Sequence, residues 1–266
     1  MKIQVLTVKW GDKFDSSYVN RIYDMVKANT SFDITMRCYT DDCLGIRDEV
    51  EIIPIPEDNK LEVWWNKLSL FNPNVIKDDD LCLYLDLDVV IQNNIDKLIE
   101  SNRPGKVKIY RSQKHLNSSV MLWTPGDGQE IWDKFTSDQK KWINTYRGID
   151  EFIWHQTYCF SLFPKGMIYS RLFGDWYDTH NQGPRETARD VFDFYDKPDY
   201  MICIFNGLGH NFDESAYEGF EHYWLSPDVL NHHFPHLTVR QDESKGQTIF
   251  IESLSAVPKD LIRFTK

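Results

Sequence analysis

Two aspartates separated by one residue interrupt the apolar run Leu81-Cys82-Leu83-Tyr84-Leu85-Asp86-Leu87-Asp88-Val89-Val90-Ile91. The run has the aliphatic, β-branched and aromatic character of a buried strand. In an extended segment the side chains at i and i+2 point the same way, so Asp86 and Asp88 would present their charges side by side. Carboxylates so placed raise each other's pKa unless a cation lies between them. The pair therefore points to a divalent cation site with hard oxygen ligands, of the kind that suits manganese or magnesium.

The elements that must position this pair follow from periodicity. Ile3 to Val8 predicts a first strand, and Tyr18, Val19, Ile22, Met25 and Val26 predict a helix that Ser16 or Ser17 would cap. Phe32, Ile34, Met36 and Cys38 alternate as a second strand, and Val50 to Ile55 form a third. Leu61, Trp64, Trp65, Leu68 and Phe71 give one face of a helix leading into the acidic strand, with the Trp64-Trp65 pair read as mostly core. Asn117 to Trp123 predicts a strand, Gly148 to Trp154 a helix start, and Met201 to Phe205 a late strand broken at Asn206-Gly207. The βαβ rhythm predicts an α/β fold with a mostly parallel sheet, in which ligands collect at the carboxyl ends of the strands. Asp86, Asp88 and Asp41 all fall at such ends. Near the end of the chain, Thr238 to Arg240 and Thr248 to Ile251 flank a polar turn and predict a hairpin.

Composition narrows the class. With 266 residues, 41% hydrophobic and 14% aromatic, the chain can build a large core. A net charge of −11 disfavours binding along nucleic-acid backbones or anionic membranes, which need dense positive patches. The five scattered cysteines suit a reducing compartment, and no run has the form of a signal segment or the length of a membrane span. A soluble cytoplasmic protein with no integral membrane segment is expected. Asn231 to His236 gathers three histidines without partners at zinc spacing and reads as a surface loop, whereas Tyr223-Trp224 is an aromatic pair that could stack on a ligand ring.

Four segments in order, Lys67-Leu68, Tyr84 to Val90, Asn93 to Leu98 and Asn117 to Met121, resemble the retaining sugar-nucleotide glycosyltransferases of the glycogenin and bacterial lipopolysaccharide galactosyltransferase type. The resemblance implies a GT-A, Rossmann-like catalytic domain over residues 1–215, with residues 216–266 as a small C-terminal extension. It further implies a nucleotide-diphosphate sugar donor, a UDP-sugar above others, Mn2+ or Mg2+ on Asp86 and Asp88, and transfer with retention to an unknown glycan, lipid or protein hydroxyl. Lys67 matches a basic position that reaches the donor phosphates or sugar. Thr7, Val8 and Lys9 match a nucleotide-cradling segment, with Asp41 and Leu87 as further donor-side positions. Asn117 and Ser118 match a sugar-contacting Asn-Ser-Gly segment in which Ser119 stands for glycine. Asp150 matches the aspartate of a Gly-Asp-Gln segment in which Glu151 stands for glutamine. The family's third metal ligand, a histidine before Gly207, is here Asn206, and the phosphate-gripping lysine position holds His210. His210 is ranked as third ligand, with Asn206 as the alternative.

Two other readings compete. A strand ending in Asp-x-Asp-x-Val also describes the nucleophile motif of haloacid-dehalogenase-type phosphatases, with Asp86 attacking phosphorus and Asp88 as acid or base. That motif normally sits on a first strand, whereas here some eighty residues precede it. The altered segment from Asn206 to His210 is also compatible with a non-catalytic nucleotide-sugar-binding protein on the same fold.

Overall fold

Alternation along the first strand sets the layers. In β1 (Lys2–Lys9), Ile3 and Val5 pack into one hydrophobic core while Leu6 and Val8 face a second. The structure, a computed structural model, describes residues 2–57, 61, 63–77, 79–112, 115–176, 178 and 195–206, and the backbone of 239–242 and 248–251. Helix α1 (Ser16–Asn29) buries Val19, Ile22, Met25 and Val26, an amphipathic stripe, against the first core. Its cap is Asp15, whose carboxylate accepts from the Ser17 N–H at 2.8 Å; the sequence had pointed to Ser16 or Ser17. β2 (Asp33–Thr40) and β3 (Val50–Pro54) extend the sheet in parallel beyond β1.

β4 (Leu81–Leu85) pairs in parallel with the other edge of β1 and is buried along its whole length. β5 (Val89–Ile91) does not continue it. The apolar run expected as one strand is two strands of different sheets, and the break falls at Asp86 to Asp88. The Asp86 N–H still reaches β7 (Leu116–Trp123), donating to the Ser119 carbonyl at 2.8 Å, whereas the Asp88 carbonyl accepts from Phe205 N–H. The acid pair thus spans the crossover between sheets, which is why it occupies an edge position in an otherwise buried run.

The central sheet has seven strands in the order β3-β2-β1-β4-β7-β6-β8, with β6 (Val107–Arg111) and β8 (Phe160–Leu162) at the far side. β7 runs antiparallel to β4 and β6, and the other pairings are parallel, a mixed and mostly parallel α/β sheet. β5, β9 (Ile168–Ser170) and β10 (Ile202–Ile204) form a smaller sheet over the first core. Helix α2 (Asp96–Glu100) follows β5 and adds Leu98 and Ile99 to that core. Helices α3 (Gln129–Ser137), α4 (Gln139–Thr145) and α5 (Ile149–Gln156) cover the opposite face. There Trp65, Phe135 and Phe152 pack ring to ring, with Trp65 and Phe135 stacked at 5.5 Å.

Residues Val63–Phe71 form a 3-10 helix, not an α-helix. Trp65, Leu68 and Phe71 recur every third residue, the period at which 3-10 side chains line up, and all three are buried. The Asn66 amide bonds both the N–H and the carbonyl of Leu61, a local alternative to the α ladder. The hairpin near the end of the chain is present as β11 (Val239–Asp242) and β12 (Thr248–Ile251), paired antiparallel. The expected domain boundary at 215 lies outside the described residues, as do Tyr223-Trp224, the histidines from 232 to 236 and His210.

Candidate active site

Because β7 runs antiparallel to β4, its first residues stand beside the carboxyl end of β4, and their side chains meet over the sheet edge. A cavity of about 820 Å3 opens there. Val8 comes from the end of β1, Asp86 to Asp88 from the strand break, and Asn117 to Ser119 from the start of β7. Gly148 to Glu151 come from the start of α5, and Lys67 from the 3-10 helix.

A chain of polar contacts crosses this cavity. Both oxygens of Asp86 face the Lys67 ammonium, at 2.7 and 2.8 Å. The Tyr84 hydroxyl donates to the same carboxylate at 2.5 Å. Lys67 Nζ lies 3.5 Å from the Ser118 hydroxyl, and the Ser118 N–H donates to Asp150 Oδ1 at 2.9 Å. Asn117 Oδ1 accepts from the Ser119 N–H at 2.9 Å, which fixes the turn into β7. Asp88 is only 7% exposed. Asn206 adopts φ of 55°, the left-handed region that asparagine tolerates best after glycine, and its Oδ1 accepts from the Ser170 hydroxyl at 2.6 Å.

Burial pushes the Tyr84 phenol well above its ordinary pKa and the Asp86 charge adds to the shift, so Tyr84 remains a neutral donor to that carboxylate. Desolvation raises Asp150, while the Lys67 charge and the Ser118 hydrogen bonds oppose the rise. Arg147 holds Glu151 below its ordinary value through a short ion pair one helical turn away. Cationic and anionic groups thus alternate around the cavity.

Of the residues singled out from sequence, Val8, Lys67, Asp86, Leu87, Asp88, Asn117, Ser118, Asp150, Glu151 and Asn206 line this one cavity. Thr7, Lys9 and Asp41 do not. Thr7 is fully buried in the sheet. The Lys9 ammonium turns away to the Asp42 carbonyl at 3.1 Å, and the Asp41 carboxylate accepts from the Gly11 N–H at 3.2 Å. Trp64, expected in the core, is 47% exposed on the cavity wall, its indole N–H donating to the Arg147 carbonyl at 3.1 Å. Tyr84, Arg111, His115 and Trp154 also line the cavity and were not singled out for it. Tyr84 was legible, since it stands two residues before Asp86 on one strand face. Trp154 stands four residues after Asp150 on α5, a helical spacing, whereas Arg111 at the end of β6 and His115 before β7 are brought in by the strand order and carry no local signal.

Asp86 and Asp88 offer a hard carboxylate set at the cavity, and Asp86 retains acceptor capacity beyond its contacts with Lys67 and Tyr84. Among the described residues no group of three His, Cys, Asp or Glu side chains is placed to hold a metal ion. The donor set therefore fits a cation that takes two protein carboxylates and completes its shell from a bound ligand.

No family model and no curated protein matches the chain. The α/β fold is nevertheless a known architecture. A crystal structure of the galactosyltransferase LgtC in complex with donor and acceptor sugar analogues superposes with a TM-score of 0.55 at 12% identity, over 86% of this chain and 99% of that one. An active-site glutamine-to-glutamate mutant of LgtC matches with a TM-score of 0.54 at 12% identity, over the same shares. The glycosyltransferase GlyE of Streptococcus pneumoniae TIGR4 gives 0.43 at 15% identity, over 60% of this chain and 44% of that one. The fold is that of LgtC. Among the described residues no helix is long and apolar enough to cross a membrane.

Proposed function

We propose that the protein is a metal-dependent glycosyltransferase that moves a sugar from a nucleotide-diphosphate donor, a UDP-sugar in the first instance, to a hydroxyl of a glycan, lipid or protein. One observation carries this reading: the continuous contact chain Tyr84–Asp86–Lys67–Ser118–Asp150 lining a single cavity on an LgtC-like fold. Glycosyl transfer expels a diphosphate whose growing negative charge must be met by fixed positive charge. A manganese or magnesium ion on Asp86 and Asp88, with His210 or Asn206 as the candidate third ligand, would supply that charge as a Lewis acid. The position of the Lys67 ammonium between Asp86 and Ser118 supports a role for it at the donor phosphates or sugar. Asn117 and Ser118 offer polar groups to sugar hydroxyls. Asp150 offers a carboxylate that can accept from a donor or acceptor hydroxyl. The acceptor oxygen forms its bond to the anomeric carbon on the face from which the diphosphate departs, so configuration is retained.

The test is a panel of nucleotide sugars incubated with the protein and Mn2+, or with a chelator, following nucleoside diphosphate release. Release that needs the metal supports the reading. Release insensitive to chelation removes the metal role, and phosphate-monoester hydrolysis without nucleotide-sugar turnover would favour the phosphatase reading instead.

A further inference from the structure

The sheet order places β7 between β4 and β6, so the cavity continues past Asn117 and Asp150 to a second wall about two strand spacings, roughly 10 Å, from Asp86. That distance is on the scale of two linked sugar rings. Arg111, the last residue of β6, stands on this wall. Its guanidinium lies 3.5 Å from the Trp176 ring centroid and 4.9 Å from that of Trp154. Stacking on the two indoles fixes the plane of the guanidinium but leaves its N–H edge unused. Among the described residues no carboxylate pairs with Arg111 and none of its side-chain N–H groups has a hydrogen-bond partner. Of the other cations lining the cavity, Lys67 faces Asp86 and Arg147 faces Glu151, while Lys13 lies over the Phe14 ring, 5.1 Å from its centroid, on the side of the cavity formed after β1. Trp154 follows Asp150 by four residues on α5, which puts its indole, 42% exposed, on the same helix face as that carboxylate.

We propose that Arg111, held between Trp154 and Trp176, is the recognition site for an oxyanion carried by the acceptor, so that the acceptor is an acidic saccharide. The planar fork accepts a carboxylate or phosphate through paired hydrogen bonds, and the exposed face of Trp154 offers a platform for the adjoining ring. In a chain with net charge −11, a partly buried arginine on the cavity wall that has no carboxylate partner among the described residues is a selective feature for anions. Partial burial lowers the pKa of Arg111 without removing its charge, so a docked anion would meet a fixed positive group.

This inference rests on the glycosyltransferase reading for the word acceptor, but its test does not. Calorimetric titration of the donor-free protein would compare a glucuronate-terminated disaccharide, a phosphate-bearing disaccharide and a neutral disaccharide of the same size. The acidic ligands should bind on the order of tenfold to a hundredfold more tightly than the neutral one, and Arg111→Met should erase the difference. Preference for only one of the two acidic ligands identifies the oxyanion as carboxylate or phosphate. Arg111→Lys keeps the charge but loses the stacked fork, and should retain only part of the preference. Thermal melting verifies that each variant is folded. Equal affinity for all three saccharides, or a preference that survives in Arg111→Met, overturns the proposal. Nucleoside diphosphate release from nucleotide sugars, measured in parallel, reports on the transferase reading independently: selective binding without release would leave an acidic-saccharide site on a protein that is not a transferase.

Discussion

At Asp86 a carboxylate is held by a lysine and a tyrosine that are both largely withdrawn from water, so each partner depends on the others. The Lys67 and Asp86 side chains are 12% and 19% exposed. Removing one member of such a pair leaves an uncompensated charge, which costs far more than losing a surface ion pair. Lys67→Met is therefore expected to lower nucleoside diphosphate release by about 10²- to 10³-fold, the range for removing one group that stabilises developing charge. The same variant should melt earlier than wild type, and part of that loss should be recovered in Lys67→Met combined with Asp86→Leu. Melting curves of the two variants check this. Asp150 gives a pH signature. Because desolvation raises its pKa on folding, Asp150 contributes its full stability below the unfolded value, and that contribution is lost as pH rises through the folded value. Asp150→Asn should abolish this decline and match or exceed wild-type melting temperature at neutral pH while losing transfer activity. A variant that loses the same stability on raising the pH would contradict the assignment.

At the scale of elements, the cavity depends on where strands stop. β4 ends at Leu85 because the following residues bridge to two different sheets, one contact going to β7 and one to Phe205 beside β10. That crossover was not legible in the sequence, since Leu81 to Ile91 is apolar enough to read as one continuous strand. The acid pair itself was legible, because charge inside such a run is costly without a role. The 3-10 geometry around Lys67 was hidden for a related reason: Trp65, Leu68 and Phe71 fit three-residue and helical spacing alike over so short a stretch. Trp64 escaped as a wall residue because its exposure depends on α5, eighty residues later. The start of α5 offers a test. A Cβ on Gly148 would stand 2.7 Å from Trp64 Nε1, so Gly148→Ala must displace that indole from the cavity wall. A loss of about 0.5–1.5 kcal/mol in stability, the worth of the Trp64–Arg147 hydrogen bond, is expected by urea unfolding, together with a shift in tryptophan fluorescence. An unchanged spectrum and midpoint would show that Trp64 is not held as described.

Over the whole molecule, the α/β class and the order of β1, α1, β2 and β3 were readable from the sequence, because β1 is largely apolar, β2 alternates, α1 has a clean stripe and β3 is a short β-branched run closed by proline. The second half was less so. β6, β8 and β9 are short and paired only through distant partners, and nothing local specifies that β6 lies beyond β7. Hence much of the wall around Lys67, Asp86, Asp88, Asn117 and Asp150 was singled out from the sequence, whereas the Arg111 wall emerged only from topology. Two cores pack on opposite faces of the sheet, and Leu83, fully buried on the first face, is a probe of that packing. Leu83→Ala should cost about 2–5 kcal/mol in urea unfolding. The central claim, that Asp86 and Asp88 hold a nucleoside diphosphate through a divalent cation, is tested most directly by calorimetric titration of UDP, with ADP and GDP in parallel, in the presence and absence of Mn2+. Saturable binding of a nucleoside diphosphate that requires Mn2+ and disappears in Asp88→Ala is the expected result; binding that is indifferent to both the metal and Asp88, or no binding of any of the three, would contradict it.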